Sequence, residues 1–429
     1  MMSASHAPTR RSPVTRWLQK APPAAFALYG GFMAFGVYFA MYAFRKPFAV
    51  ASYDGPHYFG IDFKTLLLIA QILGYALSKL AGIRIISELE ARWRALSILA
   101  LIAVSEMALF AFSTVPAPYK ILCLFMNGLP LGLIWGLVFG FLEGRRTSEI
   151  LSSILCASFI VSSGVVKSVG KWLMIDYHLS DFNMPFVTGL VFTPLLIFCL
   201  WGLSQLPPPD DDDVTSKSAR LPMNHLARRA LFKDYAPGLI GLVFIYILLT
   251  ALRDFRDNFA AEIWAGLGYG AKADVFATSE LPVGAIVLAA MAFIALFKSN
   301  RAAVLANFSF VALGLFVAGA STLAMMLKSM DPYVWMITLG AGLYLAYTPF
   351  NAILFDRLMA ATGRVGTAGF LIYVADTAGY SGSVALMLFR SLSSIHLPWV
   401  TVLQNYALTL SIMGLGVLFY VILYFRKKI

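Results

Sequence analysis

The sequence has little charge and few of the side chains on which soluble enzymes rely. Only 13% of its 429 residues are charged and 59% are hydrophobic, whereas an ordinary soluble domain is about 25% charged. The three cysteines lie within apolar runs, and the five histidines lie outside those runs or at their edges. We therefore expect neither a disulfide scaffold nor a metal or haem site inside a membrane, and we predict no cofactor.

Sequence motifs of enzymes are also missing. The chain has no phosphate-binding G-x-x-x-x-G-K-[ST] loop, no H-E-x-x-H and no G-x-S-x-G, so we predict that it is not an enzyme. Its net charge of +11 could indicate a nucleic-acid partner. The basic residues lie in loops between apolar runs, where membrane topology explains them, and we predict no nucleic-acid partner.

Long apolar runs are what the sequence does contain, and about 20 apolar residues suffice for a helix to cross a bilayer. The runs are continuous rather than alternating in polarity, which indicates helices rather than transmembrane strands. There are twelve of them, at about 23–44, 62–82, 95–114, 117–142, 150–173, 184–204, 236–252, 275–297, 302–327, 332–355, 364–389 and 399–425. The predicted fold class is an all-α integral membrane protein with twelve transmembrane helices in two pseudo-symmetric six-helix halves.

Charge predicts the orientation of these spans. Lysine and arginine concentrate in the two termini and in the loops that would share their side, so we expect both termini in the cytoplasm of a multi-pass protein of the cell membrane. The predicted segments are a basic cytoplasmic N-terminus (1–22), an N-terminal half (23–204), a cytoplasmic linker (205–235), a C-terminal half (236–425) and a cytoplasmic tail (426–429). The linker is rich in proline and aspartate, a composition that resists packing. We expect a monomer.

A short repeat relates the two halves. The motif F-R-x-x-F-A ends the first span, starting at Phe44, and ends the seventh, starting at Phe255. Parallel halves with the substrate at the midplane between them are one architecture of transporters. The repeat makes Arg256 the counterpart of Arg45.

Polar residues within or at the ends of spans are the candidates for function, because a charge inside a span costs roughly 2.5–3.5 kcal/mol on insertion scales. Arginine suits a phosphate or a carboxylate, since its planar fork donates two parallel hydrogen bonds. The predicted substrate-binding residues are Arg45, Arg253, Arg256, Lys46 and Lys79 with the aromatic residues Tyr38, Tyr42, Trp135, Tyr347 and Tyr380. Lys167, Glu280 and Asp376 are predicted to act in coupling or gating. The bilayer and a small anion are the expected partners.

Span 4 carries a glycine at every fourth position, at Gly128, Gly132, Gly136, Gly140 and Gly144. Glycines at this spacing form a smooth stripe against which another helix can pack closely. We interpret the stripe as structural.

The end of span 1, Y-x-x-x-Y-x-x-R-K-P-F-A from Tyr38 to Ala49, resembles the organophosphate:phosphate antiporters of the major facilitator superfamily, which include the glycerol-3-phosphate and hexose-phosphate transporters. Similar short matches are Ser78-Lys79, Trp135, Leu252-Arg253 with Asn258-Phe259, Glu280, Tyr347-Thr348-Pro349 and Gly379 to Ala385. The resemblance implies the major facilitator fold, with Arg45 and Arg253 holding a phosphate. It leaves Arg256, which the repeat favours, as the alternative.

The resemblance also places spans 5 and 8 face to face across the halves. Lys167 and Glu280 lie at comparable depths in these spans, so we predict an ion pair between them. The chain departs from the family at Ser158, where the family has a histidine, and at Asn258, where it has an aspartate.

A secondary transporter of a small, phosphorylated organic anion is the function that the resemblance implies, with alternating access as its mechanism. One alternative is a proton-coupled symporter of a sugar acid or another carboxylate, with Asp376 or Glu280 carrying the proton. Another is a sensor derived from a transporter, which would bind a ligand without moving it.

Overall fold

A computed structural model describes residues 12–53, 57–142, 148–208, 225–362, 369–393 and 397–428. Several parts of the predicted segments therefore lie outside the described residues. These are residues 1–11 of the N-terminus, 54–56 and 143–147 of the N-terminal half, 209–224 of the linker, 363–368 and 394–396 of the C-terminal half, and 429 of the tail.

The described chain is built of helices, which confirms the predicted all-α class. The long helices are α1 (Pro23–Met41), α2 (Phe63–Glu88), α3 (Arg94–Thr114), α4 (Ala117–Leu142), α5 (Ser148–Asp176), α6 (Met184–Ser204), α7 (His225–Asn258), α8 (Val275–Ala295), α9 (Asn300–Met326), α10 (Pro332–Ala352), α11 (Gly369–Leu392) and α12 (Trp399–Arg426). Within the described residues, nine helices are each long and apolar enough to cross a membrane. A tenth span results if Pro332–Asn351 and Leu354–Ala361, which meet at 48°, are taken together. The chain is therefore a multi-pass membrane protein.

The ends of the helices follow the apolar runs closely, with one clear exception. The predicted spans 117–142 and 184–204 coincide with α4 and α6. The predicted seventh span, 236–252, is too short, because α7 begins at His225 within the predicted linker. The added residues include alanine, leucine, arginine and lysine. These are strong helix formers that a search for apolar runs leaves out.

The break at the end of α1 fixes the position of Arg45. The α-helix gives way to a 3₁₀ turn before Pro47, which has no backbone N–H and cannot continue the hydrogen bonds of an α-helix. Two carbonyls near the break are bound by buried side-chain amides. Asn127 Nδ2 donates to the Phe44 carbonyl at 2.9 Å, and Gln71 Nε2 donates to the Arg45 carbonyl at 3.0 Å.

The glycine stripe of α4 serves two neighbours. A Cβ added at Gly128 or Gly132 would collide with the backbone of α2, which shows how closely these two helices cross. This confirms the packing role predicted for those two positions. Gly140 lies against Arg94 of α3 instead, and Gly144 lies outside the described residues.

Contacts between described helices join the two halves of the chain. We call α1–α6 the first half and α7–α12 the second half. Helix α5 packs against α8, and α2 packs against α11. We call the end of the molecule that carries Pro13–Lys20 and the last turn of α12 the terminal end, and the opposite end the distal end. A cavity lies between the halves.

Candidate functional site

A central cavity lies between the halves, and it is larger than a second cavity beside it. Its volume is about 90 Å³, which is below the range of roughly 300–1,000 Å³ that is typical of sites for small molecules. Its lining residues are Tyr38, Tyr42, Arg45, Lys46, Tyr75, Lys79, Trp135, Phe159, Arg253, Asp254, Asp257, Tyr344, Tyr347, Asn351, Ile372, Asp376 and Tyr380. The site is therefore aromatic, rich in hydroxyl groups and charged.

All but one of the predicted substrate-binding residues line this cavity, and Asp376 joins them. The exception is Arg256, which belongs to a smaller cavity nearer the distal end together with Lys167 and Glu280. Arg253 faces the central cavity and Arg256 does not.

Arg45 has no carboxylate partner among the described residues. Its guanidinium lies 3.8 Å from the centre of the Tyr75 ring, in a cation–π contact. Its Nε atom is buried and has no hydrogen-bond partner, and the whole residue is 8% exposed. A buried donor that is left unpaired costs free energy, so this guanidinium is available to an anion that enters the cavity.

Arg253 differs because its fork is already occupied within its own half. Its Nε and Nη2 atoms donate to Asp254 Oδ1 at 3.1 and 2.7 Å, and Nη1 donates to the hydroxyl of Tyr347. Asp254 Oδ2 in turn accepts a hydrogen bond from Ser383 at 2.7 Å. The structure therefore shows one free arginine and one neutralised arginine, rather than the pair of free arginines that the sequence suggests.

A chain of hydrogen bonds connects Arg253 to the other half. The Tyr347 hydroxyl lies 3.0 Å from that of Tyr246, which donates to Asp376 Oδ1 at 2.5 Å. The other carboxylate oxygen, Oδ2, accepts from Lys79 Nζ at 2.7 Å. This chain leads from the second half to a lysine of α2 in the first half.

The predicted ion pair between Lys167 and Glu280 is wrong. Glu280 pairs with Arg256 of its own half, whose Nη1 lies 2.6 Å from Oε1. Lys167 pairs with Asp257, to which it donates both at the side chain and at the backbone carbonyl. Helices α5 and α8 do pack together as expected. Equal depth in two helices does not make two residues partners when a third helix lies closer. Here α7 supplies an acid to Lys167 and a base to Glu280.

Ion pairs close the distal end across the two halves. Asp257 accepts from both Lys46 and Lys167, and Lys46 also donates to Asn258 Oδ1 at 3.0 Å. Nearby, Lys64 at the start of α2 pairs with Glu262. Each of these contacts joins the first half to the second.

The residues predicted for the site do not include Asp254 and Asp257, which line the cavity, or Tyr246, which donates to Asp376. A signal was present in α7, where Tyr246, Arg253 and Asp257 are spaced i, i+7, i+11 and so lie on one face of the helix. Arg256 lies about 60° away from Arg253 around the same helix, since each residue advances about 100°. A helical wheel would have assigned Arg253 to the cavity.

The all-helical architecture and the cavity between two halves are those of the major facilitator fold. The crystal structure of the nucleoside transporter NupG matches with a TM-score of 0.57 at 14% identity, covering 93% of this chain and 99% of that chain. The crystal structure of a D-xylose-proton symporter matches with a TM-score of 0.58 at 13% identity, covering 94% and 97%. The chain belongs to a family of unknown function, DUF5690, whose profile matches residues 47–428. No curated protein matches the sequence.

Proposed function

We propose that this protein is a secondary transporter that moves a small organic anion across the cell membrane by alternating access. The observation that carries the proposal is the state of Arg45. It lines the central cavity, it lies on the Tyr75 ring, and it has no carboxylate partner among the described residues. Arginine binds carboxylates and phosphates in a bidentate manner, so an anion is the ligand that would complete this site.

The two halves, 23–204 and 236–425, are the proposed moving bodies. Cation–carboxylate pairs join them at the distal end, through Asp257 and Glu262. Breaking these pairs would open the distal end, and re-forming them would close it. With both termini in the cytoplasm, as the distribution of lysine and arginine favours, the described state is the one closed to the outside.

A phosphorylated substrate is the first anion to test, because the sequence resembles the organophosphate antiporters. The protein is reconstituted in liposomes, and uptake of labelled glycerol 3-phosphate, glucuronate and neutral glucose is compared. We expect uptake of an anion and none of glucose. Exchange that requires internal phosphate supports antiport, whereas accumulation driven by an acid exterior supports symport.

Two variants make the experiment specific. Arg45→Gln removes the free guanidinium and is expected to abolish uptake of the anion. Arg301→Gln, at an exposed position at the start of α9, removes the same charge outside the cavity and serves as the matched control. Binding of an anion without uptake would support a sensor, and equal uptake by the two variants would refute the proposed site.

A further inference from the structure

Among the residues that the structure describes, Asp257 is the acid beside the cavity that is shared by two bases. Lys46 from the end of α1 and Lys167 from α5 both bind its carboxylate. The neighbouring ion pairs Lys64–Glu262, Lys79–Asp376, Arg253–Asp254 and Arg256–Glu280 each have one base and one acid. If both lysines are protonated, the cluster around Asp257 holds an excess positive charge, and Arg45 adds another beside it.

Both lysines are buried, at 6% exposure for Lys46 and 3% for Lys167. An uncompensated ammonium group out of contact with water is costly, and a buried lysine reduces that cost by losing its proton. Arginine cannot do so, which leaves the lysines as the groups able to change charge. With one of them neutral, the cluster becomes a single balanced pair like its neighbours.

Lys46 is the better placed of the two to release and rebind a proton. It lines the central cavity, whereas Lys167 does not. Its hydrogen bonds to Asn258 Oδ1 and Asp257 remain possible for a neutral amine, which still donates. Lys167 donates to the carboxylate and the backbone carbonyl of Asp257 alone, on the side away from the central cavity.

The charged groups around Lys46 act in opposite directions. Arg45 beside it and Lys167 of α5 disfavour its protonated form, while Asp257 and Asp254 of α7 favour it. Lys46 follows the first apolar span, which ends at Phe44. Burial is the main cause that lowers the pKa of Lys46, to about 8, against the opposing effect of Asp257.

We propose that Lys46 is the coupling site of the transporter, at which one proton from solvent binds the amine when an anion enters the central cavity. The inference rests on the proposed function. The reaction is –NH₂ plus H⁺ giving –NH₃⁺, and the negative charge of the anion stabilises the product. By linkage, the proton raises the affinity for the anion as much as the anion raises the affinity for the proton. An inward proton gradient then drives accumulation of the anion.

The structure also argues against the carboxylates as carriers. Asp376 is bound by Lys79 and by the Tyr246 hydroxyl, and Glu280 is bound by Arg256. Protonating either would leave its basic partner without a counter-charge, which is costly for a buried pair. The proton site that we propose is therefore a base, and not one of the two acids named in the alternative of a proton-coupled symporter.

The test is the number of protons taken up when an anion binds to the purified full-length protein. Binding of glycerol 3-phosphate and of glucuronate is measured by calorimetry at pH 8.5 in two buffers of different ionisation enthalpy. Both probes are fully ionised there, since the second pKa of a phosphate ester is about 6, so any proton taken up binds the protein. We expect uptake approaching one proton at pH 8.5. At pH 6.5, measured with glucuronate, we expect almost none because Lys46 is already protonated.

Lys46→Arg separates this role from a purely structural one, because arginine keeps the charge and cannot release it. We expect this variant to bind the anion with no proton uptake and with an affinity that no longer changes between pH 6.5 and 8.5. In liposomes it should move the anion without concentrating it in response to a proton gradient. Lys46→Gln, which cannot carry the charge, should also take up no proton and should bind the anion more weakly.

Three further variants test whether another residue takes up the proton. We expect proton uptake to be retained in each of them: Lys167→Arg, Asp376→Asn and Glu280→Gln. Loss of proton uptake in one of these variants but not in Lys46→Arg overturns the assignment. Anion binding by the wild type without proton uptake at pH 8.5 also overturns it, while the proposed function stands. If neither probe binds, the proposed function fails and the inference fails with it.

Discussion

Lys79 of α2 and Asp376 of α11 form an ion pair across the two halves, with Nζ 2.7 Å from Oδ2. The two residues belong to opposite halves and both line the central cavity. Their pair connects the first half to the hydrogen-bonded chain that ends at Arg253. Any movement that separates the halves at this level must break the pair or carry it along.

Neutralising one member of this pair should cost more than neutralising both. Lys79→Gln or Asp376→Asn leaves the other group charged and largely buried, and the double variant removes both charges. We expect a coupling free energy of about 1–2 kcal/mol in the unfolding of the double-mutant cycle. Purely additive losses would show that the two charges do not depend on each other.

Arg45→Lys should weaken anion binding with little change in stability. The lysine keeps the charge but loses the planar fork, and we expect a loss of about tenfold or more in affinity, or about 1.4 kcal/mol. Arg253→Lys should lower the melting temperature as well, because Arg253 holds Asp254 and Tyr347. Ligand-induced thermal shifts measure both effects. The exposed Arg301→Lys is the control, and a fall in the melting temperature of the ligand-free Arg45→Lys variant as large as that of Arg253→Lys would contradict the lack of a carboxylate partner at Arg45.

Asp254→Asn should strengthen anion binding. The substitution removes the carboxylate that neutralises Arg253 and leaves an amide oxygen able to accept from Ser383. A bound anion would then meet two guanidinium groups that have no carboxylate partner, and we expect about tenfold tighter binding. Asp176→Asn, at the exposed end of α5, is the control. Unchanged or weaker binding would mean that Arg253 does not reach the ligand.

Gly128→Ala should destabilise the protein strongly, whereas Gly416→Ala should not. A Cβ at Gly128 would collide with the backbone carbonyl of Gln71, and backbone cannot give way as a side-chain tip can. Gly416 has open space around it within α12, where alanine gains about 0.5–1 kcal/mol of helix propensity. Melting temperatures of the two variants provide the comparison. Equal values would show that α2 and α4 can move apart at no cost.

The spans and most of the site residues could be predicted from the sequence for a simple reason. Apolar runs must be helical in a membrane, and a charge that remains within or beside such a run needs a partner or water. Arg45, Lys79 and Asp376 were identified in this way. Such predictions succeed because they depend only on one helix and on the solvent around it.

Pairing could not be predicted, because it depends on which faces of several helices meet. Lys167 and Glu280 lie at similar depth, but each finds a partner on α7. The neutralised state of Arg253 was missed for a related reason. Its partner, Asp254, is the adjacent residue in the chain, and neighbouring positions on a helix do not usually face each other.

The ion pairs that join the halves all have the same polarity. In every such pair among the described residues the base comes from the first half and the acid from the second, as in Lys46–Asp257, Lys64–Glu262, Lys79–Asp376 and Lys167–Asp257. Two copies of the first half would therefore oppose lysine to lysine, and two copies of the second would oppose acid to acid. If the polypeptide were cut within 205–235 and its two fragments were made separately, we expect the fragments to associate with each other and not to form homodimers.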